Sequence, residues 1–216
     1  MIMRLVTEGL AAARGERALF AGLGFALEPG AALVLTGPNG SGKSSLLRLL
    51  AGFGRPTAGR FLWDGQPLTD DLDAYRAQLH YVGHQEALKP ALTVTETLHF
   101  WAALAERPLT DAKVPLQALG LGAKAATPCR FLSSGQRRRL ALARLVAWTA
   151  PLWLLDEPTV GLDDQALELV AGLIERHRAG GGIVVLSTHQ PLPLAGAQTL
   201  SLADFPPKRV EVSVEW

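Results

Sequence analysis

Residues 37 to 44 read GPNGSGKS, and no other stretch so narrows what this chain can fold into. The spacing is Gly37, four residues, then Gly42, Lys43 and Ser44. Before it, Ala31 to Leu35 is short and apolar, which predicts a buried strand. After it, Ser44 to Ala51 carries leucines at 46, 47, 49 and 50, which predicts a helix. Strand, glycine loop and helix in that order form a phosphate-binding loop. The glycines let the backbone curl so that successive N–H groups converge on one anion, and the helix N-terminus adds partial positive charge. Gly37, Pro38, Asn39, Gly40, Ser41, Gly42, Lys43 and Ser44 are therefore candidate nucleotide-binding residues. Lys43 can reach the outer phosphates, and the Ser44 hydroxyl can bind Mg²⁺.

The rest of the chain has to supply a core around that loop. Its 216 residues suffice for one large domain or one domain with an inserted piece. Hydrophobic residues make up 48%, which argues against disorder. The 21 basic and 20 acidic residues nearly cancel, so no basic footprint for nucleic acid is expected. Cys129 is the only cysteine, which excludes a disulfide within the chain and suits a reducing compartment; it reads as a half-buried thiol. The longest apolar run, LVAWTAPLWLL, is broken by Pro151 and is about half the ~20 residues a bilayer span needs. Arg4, Glu8, Arg14, Glu16 and Arg17 interrupt any signal-peptide core. The expectation is a soluble, cytoplasmic protein unless a partner holds it at a membrane.

Residues 2–6, 19–27 and 59–64 read as strands of a small β layer. Residues 70–79 read as a helix and 79–83 as another buried strand. From Thr93 the character turns helical. Thr93 and Glu96 fit a capping box, and Leu98, Trp101 and Leu104 are expected on one face. TDAKVPLQALG is a second helical stretch, weakened by Pro115. Residues 86 to about 145 therefore read as a helical insertion. Strand and helix then alternate again: PLWLLDEP, a helix over Asp163–Arg178 stopped by three glycines, GIVVLSTH, and a closing edge strand RVEVSVEW.

Chemistry gathers at the ends of these apolar strands. LWLLDEP finishes on two adjacent carboxylates. Asp156 sits where a carboxylate near a phosphate loop holds Mg²⁺, directly or through water. Glu157 is placed to orient and polarise an attacking water. His189 ends the next strand, where a γ-phosphate contact could sit, although alone such a residue is more often a turn or core histidine. Gln85 ends another strand and could reach Mg²⁺ or the attacking water. FLSSGQRRRLALARL supplies a second helix N-terminus, at Ser134 and Gly135. One nucleotide needs one cradle, so two suggest either two ligands or a dimer in which this helix serves the partner's nucleotide. For Arg138 and Arg139 a solvated helix face accounts for the pattern as well as a functional role does.

Taken together, these stretches resemble the ATP-binding subunits of ABC transporters over almost the whole chain. The resemblance rests on GPNGSGKS (Walker A), Gln85 (Q-loop), LSSGQ at 132–136 (signature), LWLLDE (Walker B), GLD at 161–163 (D-loop) and His189 (switch histidine). It implies an α/β P-loop NTPase with a RecA-like core, an antiparallel β subdomain and an inserted α-helical subdomain. The single domain would cover 1–216, with β subdomain and core in 1–85 and 146–216 and the helical insertion in 86–145. The ligands implied are ATP and Mg²⁺, the metal held by Ser44, Gln85 and Asp156. The catalytic groups implied are Glu157 as general base and His189 on the γ-phosphate. The resemblance also implies a head-to-tail dimer with two ATP molecules sandwiched between subunits. Ser133, Ser134, Gly135 and Gln136 would then serve the partner's nucleotide, with Asp163 in the D-loop beside them. The helical insertion and Gln85 would face integral membrane permease subunits, and no nucleic acid is expected.

One family feature is missing. An aromatic residue usually follows the first strand and stacks on adenine. Here LAAARGER offers none, and Arg14 falls near that position, where a guanidinium can stack on a π-face. Within the family, GFGRPTAGRFLWDGQPL, GHQEALKPALTVTETLHFW and STHQPL look like the ATP-binding subunit of the bacterial haem exporter of cytochrome c maturation. EPTVGLD departs from that subgroup towards the general family pattern. The resemblance implies an ATPase peripheral to the cytoplasmic face of the inner membrane, driving release of haem-loaded chaperone. The alternatives are the ATPase of another exporter, for lipoprotein release or small solutes, and a soluble nucleic-acid- or ribosome-associated ABC ATPase.

Overall fold

The computed structural model describes residues 4–68, 71–189 and 192–207. The edge strand expected over RVEVSVEW lies outside them. Strands β1 (Leu5–Arg14) and β2 (Arg17–Leu27) form a hairpin in which Arg14 pairs with Arg17. β1 runs well past the expected 2–6. Pairing with β4 (Ala58–Trp63) as far as Ala11, and with β2 as far as Arg14, holds the alanine-rich LAAAR extended against its weak strand propensity. With β5 (Gln66–Pro67) these make an antiparallel sheet in the order β2-β1-β4-β5.

β3 (Ala32–Thr36) leads through the glycine loop into α1 (Lys43–Leu50). It joins β6 (Leu79–Val82), β7 (Leu152–Asp156), β8 (Ile183–Ser187) and β9 (Gln198–Ser201) in a parallel sheet of order β6-β7-β8-β3-β9. Every residue of LWLLD and IVVLS is buried, as continuous apolar runs covered on both faces must be. Their side chains alternate between two cores. Leu152, Leu154 and Val185 pack with α1 and the antiparallel sheet through Leu46, Leu50 and Phe20. Trp153, Leu155 and Val184 pack with the helical segment through Leu98, Leu116 and Leu142. The parallel sheet thus joins both layers, and its C-terminal strand ends carry the loops of the site.

The helices are α2 (Leu72–Arg76), α3 (Val94–Leu104), α4 (Lys113–Ala118), α5 (Ser134–Ala147) and α6 (Asp164–Ala179). The Thr93–Glu96 capping box forms, with Glu96 N–H donating to Thr93 Oγ1 at 3.2 Å and Thr93 N–H to Glu96 Oε2 at 2.8 Å. Leu98 and Trp101 are buried, but Leu104 is 69% exposed. Six residues at about 100° each carry it about a third of a turn away from Leu98. Pro115 is tolerated because it is the third residue of α4, where its missing N–H has no intrahelical partner to lose. Cys129 is fully buried rather than half-buried, with Sγ 3.2 Å from Thr97 Oγ1.

At the opposite end of the sheet from the glycine loop, His80 of β6 places Nε2 2.9 Å from the Trp148 carbonyl oxygen. His177 of α6 stacks on Trp153 at 3.8 Å between ring centroids, 5° from parallel. Burial pulls both histidines down to about 4, and the positive charge of Arg144 adds to the effect at His80. Both are therefore neutral in the fold, whereas an unfolded histidine titrates near ~6.5. Stability is fully present above that value and is lost as pH falls from about 6.5 towards 4, where the unfolded chain takes up protons the fold refuses. At His80, which is 3% exposed, the loss approaches about 1.4 kcal/mol per pH unit. His80→Gln is expected to flatten this acid limb in thermal melts followed from pH 7 to 4. An unchanged limb would show that other groups set it.

Candidate active site

The C-terminal ends of β3, β6, β7 and β8 open into a cavity of about 490 Å³ whose lining includes Asn39, Gly40, Gly42, Lys43, Ser44, Glu157 and His189. Gly42 is the N-cap of α1 at φ 107°, a conformation that a side chain would strain, and it turns the loop into the helix. Lys43 is only 7% exposed and donates from Nζ to Gly37 O at 2.8 Å and Pro38 O at 3.2 Å. Those contacts hold the loop closed around its own ammonium, whose third N–H remains for an anion.

Asp156 ends β7 and is 1% exposed. Its Oδ1 accepts from Ser44 Oγ at 3.0 Å and from Ser187 Oγ at 2.7 Å. Its Oδ2 is buried without a hydrogen-bond partner among the described residues. A buried carboxylate oxygen left unpaired beside a serine hydroxyl is a hard-oxygen donor pair, which fits Mg²⁺. Few protein ligands are also what that ion takes, since phosphate oxygens and water complete its shell. No group of three or more His, Cys, Asp or Glu side chains suited to a metal occurs among the described residues.

Glu157 has φ 52°, the left-handed region, which is costly for a residue with a Cβ. Its N–H is held by Ser187 O and Ser187 Oγ, both at 3.1 Å. The carboxylate meets His189 twice: His189 N–H donates to Oε2 at 3.3 Å, and His189 Nε2 lies 3.3 Å from Oε1. The strained turn thus brings the proposed base and the strand-end histidine to one point. Ser187 was not anticipated. Its only trace in the sequence is a polar residue closing the apolar run GIVVLS.

Arg14 lines the cavity, and so do Arg17 and His84, which sequence reasoning passed over. The β1–β2 hairpin carries both arginines there as a cross-strand pair. Gln85 is not among the lining residues. It is exposed and faces a separate groove with Glu86, Leu88, Arg130 and Arg137, so the turn after β6 offers His84, not Gln85, to the cavity.

The second helix N-terminus forms a site of its own. Ser133 caps α5 in a capping box with Gln136. Ser134, Gly135 and Arg139 line a small cleft with Gly161, Leu162 and Asp163. Asp163 itself caps α6, accepting from Ala166 N–H at 2.9 Å. Ser134 and Gly135 do not line the cavity that holds Lys43. The arginines that follow are not a solvated face. Arg138 is 3% exposed, and Arg137 and Arg139 donate to the carbonyls of Leu132 and Leu119.

A phosphate loop, a metal-competent aspartate, a glutamate beside a histidine and a separate signature cleft define an ATPase of the ABC class. The ABC transporter family model matches residues 20–160, and the chain belongs to that family. It binds and hydrolyses ATP. It is similar to the cytochrome c biogenesis ATP-binding export protein CcmA of Rhodospirillum rubrum, 54% identical over 200 residues, covering 93% of this chain and 86% of that one. The protein of the same name in Paramagnetospirillum magneticum is 50% identical over 202 residues, covering 92% and 93%. The solved structure of an ABC transporter ATP-binding protein from Pyrococcus furiosus superposes with a TM-score of 0.81 over 94% of this chain and 98% of that one. At 21% identity it speaks to fold alone.

Proposed function

We propose that this chain is the ATP-hydrolysing subunit of an exporter serving cytochrome c biogenesis, and that its turnover drives release of haem-loaded chaperone. The observation that carries this reading is near-full-length identity of 54% to an export protein of that name, with the loop, the carboxylate pair and the signature all present. Among the described residues no helix is long and apolar enough to cross a membrane. The chain would therefore work peripherally, at the cytoplasmic face of a bacterial inner membrane, bound to permease subunits. Leu104, Val114 and Phe131 support that docking: all three are exposed apolar side chains on the helical segment 86–145, and Phe131 directly follows Arg130 of the groove that Gln85 faces. Co-purification of the tagged chain from membranes should bring down permease subunits of the cytochrome c system. Recovery with those of a lipoprotein or small-solute exporter would replace this reading.

In this reading Lys43 and the loop amides hold the phosphates. Ser44 and Asp156 hold Mg²⁺, which neutralises phosphate charge. Glu157 takes a proton from the attacking water while His189 steadies its carboxylate and contacts the γ-phosphate. Ser134 and Gly135 act on the nucleotide of a second copy, head to tail. The supporting observation is the separation of the signature cleft from the loop cavity within one chain.

Two experiments address the nucleotide. Ser134→Arg should bind ATP and fail to hydrolyse it, and Lys43→Ala should also be inactive. Mixing the two should restore one composite site, built from the intact loop of the first and the intact signature of the second. Activity in Ser134→Arg alone would remove the signature from the site. Arg14→Ala should weaken ATP and GTP alike, because stacking on a π-face ignores ring substituents. Unchanged nucleotide affinity would place the base elsewhere.

A further inference from the structure

Arg138 lies one helical turn beyond Ser134 on α5, at the i, i+4 spacing that makes helix residues neighbours. It is nearly inaccessible, and of the three arginines in sequence it alone reaches the parallel sheet. Its Nη1 donates to Gly83 O at 2.8 Å, its Nε to Pro158 O at 3.4 Å, and its Nη2 to Asp156 O. These carbonyls belong to two strand ends. Gly83 follows β6 and precedes His84, which lines the cavity. Asp156 and Pro158 flank Glu157 on either side. Burial pulls the guanidinium below its ordinary range, and the neighbouring acids Glu86, Asp156 and Glu157 oppose that pull in part.

We propose that Arg138 is a positioning residue for ATP hydrolysis, anchoring within its own subunit the strained turn that presents Glu157. Glu157 holds a left-handed φ of 52°, a conformation that persists only where the surroundings over-determine it. Ser187 fixes its N–H, and Arg138 fixes the carbonyl before it and the carbonyl after it. The planar fork of a guanidinium reaches these three acceptors from three separate nitrogens held in one fixed geometry, which the single nitrogen of an ammonium on a flexible stem does not reproduce. The helix that carries Arg138 begins at the signature. On the sandwich-dimer reading, one rigid element therefore connects the partner's nucleotide, at Ser134, to this subunit's base, at Glu157.

The test uses the full chain in the mixed dimer of Ser134→Arg and Lys43→Ala, which leaves one working site. Arg138→Lys is introduced on one chain or on the other. On the Ser134→Arg chain, which supplies the loop and Glu157, it is expected to lower kcat on the order of tenfold to a hundredfold, the scale of a displacement of about 1 Å. KM for ATP should hold. On the Lys43→Ala chain, which supplies only the signature, turnover should stay at the parent level. Equal losses from both placements would mean that Arg138 merely packs α5, and a loss confined to the signature chain would mean that it acts on the partner's site. Either result overturns the inference. If the parent mixture is itself inactive, the sandwich reading fails. Arg138→Lys alone then decides, with a kcat loss at unchanged binding of a fluorescent ATP analogue supporting a positioning role and parallel losses refuting it. Arg138→Gln, uncharged and smaller, gives the same readouts should the lysine variant misfold, with the same outcome expected.

Discussion

Glu157→Gln is expected to reduce ATP turnover by about 10²–10⁴-fold, the range for removing a general base, while ATP still binds. The substitution preserves shape, so the turn at φ 52° and its anchoring to Ser187 should survive. The contact from His189 N–H to the side-chain oxygen, at 3.3 Å, can also persist with an amide carbonyl. What is lost is the ability to accept a proton from water. Nucleotide then stays intact between subunits, and a dimer should accumulate with Mg²⁺-ATP that is absent with nucleotide omitted. Sedimentation equilibrium together with phosphate release measures both halves. A monomer that hydrolyses ATP normally would remove Glu157 from the role of base.

Lys43→Ala should lower turnover to background by a different route, through binding. A hydrogen bond to a charged partner is worth about 1.5–3 kcal/mol, and Lys43 is the ammonium built into the loop. The same change also removes its bonds to the carbonyls of Gly37 and Pro38, so the loop loses an internal brace as well as its cation. The fold should persist, since Lys43 opens α1 and alanine is the best helix former. Titration with a fluorescent ATP analogue should show weakened affinity with an unchanged circular dichroism spectrum. Wild-type turnover in a folded variant would contradict the assignment of the loop.

What could be read without coordinates was whatever depends on neighbours in the chain. The loop at 37–44, the carboxylates closing LWLLD, the Thr93–Glu96 capping box and the N-terminus at Ser134 are all of this kind. Each follows from residue types a few positions apart, because the backbone geometry that makes a phosphate cradle or a cap is complete within one turn. The apolar runs of β7 and β8 were equally plain, since a strand covered on both faces leaves no alternation to misread. Local reasoning failed where a partner distant in sequence decides. β1 reaches Arg14 because β2 pairs with it to the hairpin turn, and that pairing brings Arg14 and Arg17 to the cavity of the loop. Leu104 matches the composition of a buried face, yet its angle around α3 turns it outward. RRR at 137–139 is uniform in sequence, yet packing buries one arginine against two strand ends and gives the other two nearby carbonyls. Ser187 acquires its role because β8 lies beside β7 in a register that sets it against Asp156. The sequence by itself therefore determined the family and the chemical groups, because those are written in short motifs. Only the tertiary structure decided which side chains face the cavity and what holds Glu157 in its turn, because burial and register are properties of strands and helices packed together.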